Sequence, residues 1–321
     1  MARVFITGAN GFIGRALDAG FRSRGHDTRG VDVVADPARD VIAGDVSRPG
    51  GWQQEAAEAD WIVHTAALVS NNPTLDEAWR VNVLGTRHVL DAAARGRCTR
   101  FLHLSSVRVF SDLSFPDGVD ERHPVRPDGN PYVDTRVASE QVVLQAHAAG
   151  EVVATIVRPG DVYGPGSRPW TVLPVEMIKA NRFVLPAMGR GVFSPVFVDD
   201  LVEGIHAAVA ADAAAGAVLT LSGGVGVTCR EFFGQYYRML GRRGPMVAPT
   251  PVAVSLARVV HAADRARGRD SEASVTSIRY LTRTGTYSIA KARNLIGYAP
   301  STTLTVGMQR TEAWLVERGL I

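Results

Sequence analysis

Cysteine is scarce in this chain of 321 residues, which contains only Cys98 and Cys229. Two cysteines form at most one bridge, and these two lack metal-ligand spacing, so a disulfide scaffold and a structural zinc finger are both excluded. The amino terminus runs straight into an apolar segment and glycines, without the form of a signal peptide. Together these features predict a cytoplasmic protein.

Lysine is almost missing too, because 33 of the 35 basic residues are arginine and only Lys179 and Lys291 are lysine. The formal net charge is only +3, which argues against a nucleic-acid partner. Long apolar runs are also lacking. The longest, residues 204–221, is interrupted by His206 and Asp212, so we predict no membrane span. At 46% hydrophobic and 21% charged residues, the chain can bury a full core.

Short β-branched runs alternate with Ala-rich stretches from residue 2 to about residue 160. This order is typical of an α/β protein, a doubly wound parallel sheet with helices on both faces. A further strand at 217–221, after a helix at 200–211, is expected to return to the sheet. The six earlier runs are near-continuously apolar, as buried parallel strands are: residues 4–7, 28–33, 41–43, 61–65, 101–105 and 152–158.

After Gly160 several glycines and prolines break this alternation, and helical sequence dominates. We therefore divide the chain into a first domain, residues 1–165 with 195–221 returning to it, and a smaller, mainly helical region, residues 166–194 and 222–321. One stretch of that region, residues 252–267, is amphipathic. A packed surface helix is the simplest interpretation, and a membrane anchor or a lid over a pocket are the alternatives.

Three glycines follow the first predicted strand and open a helix, in the segment Thr7-Gly8-Ala9-Asn10-Gly11-Phe12-Ile13-Gly14. Glycine at these places allows a tight turn and a close approach to a pyrophosphate, and the free amides of the helix start attract phosphate. A tight turn alone could use such a triplet. The strand before it and the helix after it favour a dinucleotide on a Rossmann-type sheet.

Asp32 ends the second predicted strand, 18 residues beyond Gly14. A carboxylate at this place accepts hydrogen bonds from an adenosine ribose, which favours NAD over NADP. A solvated acid at a strand end is the alternative, and Arg29 or Arg39 could still receive a 2′-phosphate. Asp45 and Val46, after the third strand, are placed to flank the adenine.

Residues suited to carbonyl chemistry come next. Tyr132 and Arg136 are four apart at the start of a predicted helix, so they share one face, and Glu140 one turn later is expected to hold the Arg136 guanidinium. A cation beside a phenol stabilises the phenolate, which makes Tyr132 the candidate acid and base. Ser106 is the candidate to hold the substrate oxygen. Taken alone, a tyrosine and an arginine at this spacing are more often an exposed pair on a helix surface than a catalytic unit.

These segments resemble the extended short-chain dehydrogenase/reductase family, also called the NAD-dependent epimerase/dehydratase group, over nearly the whole chain. The resemblance rests on Thr7-Gly8-x-x-Gly11-x-x-Gly14, His64-Thr65-Ala66-Ala67, Val81-Asn82-Val83-x-Gly85-Thr86, Ser105-Ser106 and Tyr132-x-x-x-Arg136. It implies Ser106, Tyr132 and Arg136 as the catalytic group. It also implies cofactor contacts from Gly8, Asn10, Gly11, Phe12, Ile13, Gly14, Asp32, Asp45, Val46, Ala66, Ala67, Asn82, Tyr132, Arg136, Pro159 and Val162.

Arg136 departs from the family pattern, which has lysine four residues after the tyrosine. Arginine keeps the charge and the donors but effectively never releases a proton, so a proton relay through this position is in doubt. The near absence of lysine from the chain is a simple cause of the change. Altered activity is expected rather than none.

The segments Arg158-Pro159-Gly160-Asp161-Val162-Tyr163-Gly164-Pro165 and 195–201 resemble the 3β-hydroxysteroid dehydrogenase branch, since nucleotide-sugar members usually carry Asn where Asp161 stands. The expected lining suits an apolar substrate, although such residues equally build a core: Trp170, Leu173, Met177, Phe183, Leu185, Met188 and Phe193. A sugar nucleotide would instead use polar and basic partners, here Arg168, Lys179, Arg182 and Arg190.

The sequence therefore predicts an NAD-dependent oxidoreductase that interconverts a secondary alcohol and a ketone on an apolar, hydroxysteroid-like small molecule. The alternatives are a nucleotide-sugar epimerase or dehydratase, and an NAD-binding sensor with impaired catalysis. The single histidines, among them His64, His103 and His206, lack ligand spacing, so we predict structural roles and no metal. The resemblance also implies a homodimer.

Overall fold

The fold is known from a computed structural model, which describes residues 1–70, 73–111, 114–266 and 275–321. Its centre is a seven-stranded parallel sheet in the order β11-β6-β5-β4-β1-β2-β3. This confirms the predicted α/β, doubly wound class. The strands are β1 (Arg3–Thr7), β2 (Asp27–Asp32), β3 (Val41–Ala43), β4 (Trp61–His64), β5 (Arg100–Leu104), β6 (Ala154–Pro159) and β11 (Val218–Leu221).

The predicted strands differ from the observed ones only at their ends. Sequence pattern marks burial, whereas a strand ends where its ladder of hydrogen bonds stops, and these points differ by a residue or two. Thus β2 stops at Asp32, and β6 starts at Ala154 rather than at residue 152. The late strand β11 pairs with β6 and so returns the chain to the sheet, as its sequence predicts.

Alternate strand residues face opposite sides of the sheet, and each side is covered by helices. On one side Ile6 and Leu102 pack with Leu17 of α1 and Leu201 of α7. On the other, Phe5, Ile62 and Phe101 pack with residues of α2, α4 and α5. The bounds are α1 (Phe12–Ser23), α2 (Trp52–Ala57), α3 (Leu75–Trp79), α4 (Gly85–Arg95), α5 (Pro131–Ala148) and α7 (Val198–Ala210), with a π-helical turn (Arg80–Leu84) joining α3 to α4.

The remaining elements of the described chain form a second, mainly helical group. Its core is aromatic, with Phe193 and Phe232 ring centroids 4.2 Å apart. Its elements are β7 (Asp161–Tyr163), α6 (Leu173–Lys179), β8 (Val184–Leu185), β9 (Val192–Phe193), β10 (Pro195–Phe197), β12 (Val227–Thr228), α8 (Cys229–Met239), β13 (Met246–Val247), α9 (Thr250–Ala266), α10 (Val275–Tyr280), α11 (Ala290–Ile296) and α12 (Leu304–Glu317). The domain division at residues 165, 195 and 221 stays a prediction.

Helix α9 covers most of the amphipathic stretch predicted at 252–267, whose last residue, Arg267, lies outside the described residues. Ala253 and Ala257 of this helix are buried, while Val252 and Val259 are exposed. Within the described ranges, no helix combines the length and the apolar character that crossing a bilayer requires.

Candidate active site

A cavity of about 1200 Å³ lies at the carboxyl ends of the sheet strands, beside the switch in strand order between β1 and β4. Ligand pockets typically measure about 300–1000 Å³, so this cavity is larger than the usual range. Its glycine-loop half is lined by residues 8, 10–14, 31–33, 44–46 and 65–70. Its apolar half is lined by residues 168–170, 173, 174, 177, 182–184, 233, 253, 256, 257, 260, 277, 278, 280 and 281.

Fifteen of the sixteen residues predicted to contact a cofactor line this cavity, and so does Ser106. Asn82 is the exception. Its side chain is fully buried behind the wall, where Oδ1 accepts from the Leu68 amide at 2.7 Å and Nδ2 donates to Thr135 Oγ1 at 2.9 Å. Asn82 therefore ties the loop after β4 to helix α5 rather than facing the cavity.

Glycine is required at two places in the loop after β1. Gly8 has φ +69°, and a Cβ there would lie 2.9 Å from the backbone of Ala66. A Cβ on Gly14 would collide with the carbonyl oxygen of Gly8. The backbone of this loop therefore forms an open cradle at the start of α1, whose unpaired amides suit a pyrophosphate.

Asp32 lines the cavity at the end of β2, and its carboxylate accepts from the amides of Asn10 and Val33, each at 2.8 Å. The two arginines that the sequence offered for a 2′-phosphate are engaged elsewhere. Arg29 pairs with Glu55 at 2.6 Å, and Arg39 pairs with Asp36 at 2.9 Å. Neither lines the cavity, although Arg39 also donates to the Ala9 carbonyl at 3.2 Å and to Asn10 Oδ1, so its guanidinium lies beside the glycine loop. The Asp32 carboxylate itself lines the cavity and fits NAD.

Tyr132 stands at the first turn of α5 and lines the cavity between its two halves. Asn130 caps this helix through Oδ1, which accepts from the Tyr132 amide at 2.9 Å, and Pro131 fits the first helical position. Ser106 follows β5, and its Oγ accepts from the Arg108 amide at 3.2 Å. Because that bond uses a lone pair, the Ser106 O–H can still donate to a bound oxygen.

The expectation that Glu140 holds Arg136 is wrong. Glu140 binds Arg158 instead, with Oε1 accepting from Nε at 2.9 Å and Oε2 from Nη2 at 2.6 Å, and Ser105 Oγ donates to Oε1 at 2.5 Å. Arg136 Nη1 donates to the Leu104 carbonyl at 3.0 Å. Both residues carry the same planar guanidinium, so position decides the pairing: from β6, Arg158 reaches both carboxylate oxygens of Glu140 at once.

Two histidines lie behind the catalytic candidates. His64 Nδ1 is 2.7 Å from Thr7 Oγ1 and its Nε2 is 2.9 Å from Thr86 Oγ1, and burial, with the charge of Arg136, lowers the pKa of His64 to about 3. The same causes and the neighbouring His64 lower the pKa of His103. Both rings are therefore neutral. Among the described residues, no three His, Cys, Asp or Glu side chains are grouped to hold a metal ion.

The apolar half contains four of the seven predicted lining residues: Trp170, Leu173, Met177 and Phe183. Leu185 and Phe193 lie in the buried core, and Met188 is exposed, so these three do not line it. Of the four basic residues considered for a sugar nucleotide, only Arg168 and Arg182 line the cavity. Lys179 donates to the Leu320 carbonyl at 3.0 Å.

Several lining residues escaped the sequence reasoning. Arg108 lines the cavity beside Tyr132, and α9 contributes a stripe spaced as one helix face: Ala253, Leu256, Ala257 and Val260. The amphipathic pattern of α9 allowed a lid over a pocket as one alternative, but it did not identify which residues would line that pocket. Asp161 is bound through a buried ion pair with Arg283 at 3.1 Å, which no local motif indicates.

The chain is similar to a known protein family and to several characterised enzymes. The model of the NAD dependent epimerase/dehydratase family matches residues 4–220. A ketoreductase from Stigmatella aurantiaca, named for 4-hydroxy-2-methyl-3-oxo-4-farnesyl-3,4-dihydroquinoline-1-oxide, is 30% identical and the match covers 95% of this chain and 94% of that protein. A 3-beta-hydroxysteroid dehydrogenase from Mycolicibacterium neoaurum is 25% identical, covering 96% and 90%.

A dTDP-glucose 4,6-dehydratase from Streptomyces antibioticus is also similar, at 28% identity over 97% of this chain and 91% of that protein. Among solved structures, MoeE5 in complex with UDP-glucose and NAD has a TM-score of 0.79 at 23% identity and covers 99% and 100% of the two chains, which shows the shared fold. The family's dependence on NAD confirms the predicted cofactor. This chain belongs to the NAD dependent epimerase/dehydratase family and is an NAD-dependent enzyme of the extended short-chain dehydrogenase/reductase type.

Proposed function

We propose that this enzyme interconverts a secondary alcohol and a ketone on an apolar, hydroxysteroid-like substrate. The observation that carries the proposal is the cavity wall beyond Tyr132 and Ser106. It is formed largely by apolar side chains from α6, α8, α9 and α10, among them Leu173, Phe233 and Leu256. Such a wall binds apolar surface by removing it from water and offers few partners to hydroxyl groups.

Three side chains carry the proposed chemistry. In oxidation Tyr132 takes the hydroxyl proton of the substrate, and in reduction it returns that proton to the carbonyl oxygen. Ser106 donates its O–H to the same oxygen and so fixes the reacting carbon in place. Arg136, whose Cζ lies 5.4 Å from the Tyr132 ring centroid, stabilises negative charge on the phenol oxygen.

NAD, when bound, supplies the hydride acceptor for oxidation and, in reduced form, the donor for reduction. The cradle of Gly8, Gly11 and Gly14 would hold its pyrophosphate, and Asp32 its adenosine ribose. Asp45 and Val46 would flank the adenine. A side chain at Gly8 or Gly14 would collide with neighbouring backbone, so the loop leaves its own backbone exposed, which fits the binding of a pyrophosphate.

The names of two relatives support an apolar ketone or alcohol as the substrate of this enzyme. One is a reductase of a ketone that bears a farnesyl group, and another is a 3-beta-hydroxysteroid dehydrogenase. Both alignments span at least nine-tenths of this chain, including α9 and α10. The same wall in this chain suits a substrate of that size and polarity.

The test follows nicotinamide absorbance when the enzyme and NAD meet a panel of hydroxysteroids and other apolar secondary alcohols. Tyr132→Phe should reduce kcat by about 10²–10⁴-fold, because it removes the acid and base. The matched control is Tyr298→Phe, whose hydroxyl donates to the Ser222 carbonyl at 3.0 Å outside the cavity. It should leave kcat unchanged within about twofold and cost about 1 kcal/mol of stability.

A sugar-nucleotide epimerase or dehydratase is the second candidate, and Arg168 and Arg182 in the apolar half favour it, because guanidinium groups bind phosphates. The dTDP-glucose 4,6-dehydratase among the relatives points the same way. This candidate predicts turnover of a dTDP- or UDP-sugar without net cofactor reduction. Binding of NAD with no turnover of either panel would instead support a cofactor-binding sensor.

A homodimer and a cytoplasmic location stay predictions, and both belong to the proposal. Sedimentation of the purified chain measures the first. A mass of two chains at micromolar concentration would support the dimer, and a single-chain mass would contradict it.

A further inference from the structure

The buried carboxylate of Glu140 is the one acidic group next to Arg136 on the same helix face, yet it is fully committed to Arg158. Glu140 is 1% exposed and Arg158 is 4% exposed. Both oxygens of Glu140 accept from Arg158, and Ser105 adds a third bond. A bidentate pair out of water is held in one geometry, because neither charge can be solvated elsewhere.

Arg136 is thereby left without a carboxylate partner in the described part of the chain. It is 3% exposed, its Nη1 donates to the Leu104 carbonyl, and its Nε has no hydrogen-bond partner among those residues. Its Cζ lies 5.4 Å from the Tyr132 ring centroid. The three buried charges of Arg136, Arg158 and Glu140 sum to one positive charge, and that charge faces Tyr132.

Among the described residues, the other charged or titratable groups around Tyr132 and Arg136 are cationic, neutral or paired with another group. Arg108, from the turn after β5, has its Cζ 5.7 Å from the Tyr132 ring centroid. His64 on β4 and His103 on β5 are neutral, and the charge of Arg136 is one reason that the pKa of each is lowered. Asp161 on β7 is held by Arg283.

We propose that Arg158 is a positioning residue that keeps Glu140 away from Arg136, so that the whole charge of Arg136 acts on the phenol of Tyr132. Without Arg158, the buried Glu140 has the cation of Arg136 one helical turn away, four residues earlier on α5. Pairing between them would draw the guanidinium from Tyr132 and cancel its charge. This inference rests on the proposed role of Tyr132 as acid and base.

The test uses Arg158→Met, which removes the guanidinium but keeps a long side chain, and the double variant Arg158→Met with Glu140→Gln. In oxidation the rate is expected to rise with pH as Tyr132 loses its proton, and the half-maximal pH is the pH at which the rate reaches half of its maximum. Loss of a favourable charge at this distance should move the half-maximal pH upward by about one unit in Arg158→Met. In the double variant no carboxylate remains to pair with Arg136, so the half-maximal pH should return to that of the wild type.

If Arg158→Met fails to fold, Arg158→Gln takes its place, because a glutamine amide still donates to Glu140 without carrying a charge, and the half-maximal pH should rise in the same way. Replacing both members of a buried pair is often neutral for stability, whereas removing one leaves an uncompensated charge. Arg158→Lys, which keeps a cation beside Glu140, is the conservative control. It should leave the half-maximal pH within about 0.3 unit of the wild type, since the charge balance is unchanged.

A second readout needs no substrate or cofactor. The phenolate absorbance of each variant is titrated with and without an added Tyr132→Phe change, and the difference isolates Tyr132. Its midpoint should rise in Arg158→Met and return in the double variant, even if no substrate is found. If Arg158→Met lowers the rate but leaves both midpoints in place, or if the double variant fails to restore them, the role of Arg158 is structural only and the proposal is overturned.

Discussion

The two halves of the cavity are built in opposite ways. The glycine-loop half comes from short segments after consecutive strands, and it offers backbone and small residues such as Gly8, Ala66 and Ala67. The apolar half is assembled from large side chains of α6, α8, α9 and α10, which are spread over residues 173–280 of the chain. The first half is set by local turns, whereas the second depends on long-range packing.

This difference decides what each half can tolerate. A turn that needs glycine has no substitute, because a Cβ meets backbone that cannot move. A wall of apolar side chains admits exchanges that conserve volume and polarity. We therefore expect the glycine-loop half to respond sharply to single changes, and the apolar half to respond in proportion to the polarity introduced.

Gly8→Ala should have the largest effect on cofactor affinity. The new Cβ would lie 2.9 Å from the Ala66 backbone at φ +69°, so the cradle must distort. We expect NAD affinity to fall by about 100-fold, near 2.7 kcal/mol, measured by isothermal titration. Gly25→Ala is the matched control, since Gly25 has φ +81° but open space around it. Equal losses in both variants would contradict a specific role for Gly8.

Leu256→Asp tests the apolar half. Leu256 lines the cavity and is 45% exposed, so the change should be compatible with folding. We expect KM for an apolar alcohol to rise by about 30-fold, since a charge then faces the substrate, while NAD affinity stays unchanged. Val259→Asp alters the same helix at a 65% exposed residue outside the cavity. If Val259→Asp raises KM equally, α9 does not contact the substrate.

Acidification should weaken the glycine-loop half through His64. Burial lowers its pKa to about 3, against about 6.5 in the unfolded chain, so unfolding takes up a proton between these values. Stability contributed by neutral His64 is therefore complete above pH 6.5 and falls as the pH drops towards 3. Urea unfolding should show a loss of about 1.4 kcal/mol from this residue between pH 7.5 and 5.5. His64→Gln should remove this part of the pH dependence of the unfolding free energy. An unchanged pH dependence in the variant would contradict the role of His64.

Asp32→Asn should have the smallest effect. The amide loses the charge and one acceptor, so we expect NAD affinity to fall by about fivefold, near 1 kcal/mol. Discrimination against NADP should weaken as well, because the negative charge that repels a 2′-phosphate is gone. Asp27→Asn, at the other end of β2 where the acid lies 3.8 Å from Arg3, should change neither quantity. Equal NAD and NADP affinity already in the wild type would contradict the role of Asp32.

The sequence predicted the glycine-loop half well, because its signals are local. A glycine triplet between a strand and a helix, and an acid at the end of β2, each depend on a few neighbouring residues. The partner of Glu140 was missed because residue spacing brings Arg136 near it, whereas only the fold brings Arg158 from β6. The sequence left the place of α9 open between a packed surface helix and a lid over a pocket, since an amphipathic pattern does not identify the surface that it contacts.

The most direct test of the central claim is transfer of deuterium from a hydroxysteroid labelled at the carbinol carbon. Mass spectrometry follows the label in the wild type and in Tyr132→Phe. The proposed alcohol–ketone chemistry predicts that the label appears in the reduced cofactor and that its transfer slows by at least about 100-fold in the variant. Absence of transfer across the apolar panel, together with label that returns to a sugar nucleotide without net cofactor reduction, would contradict it.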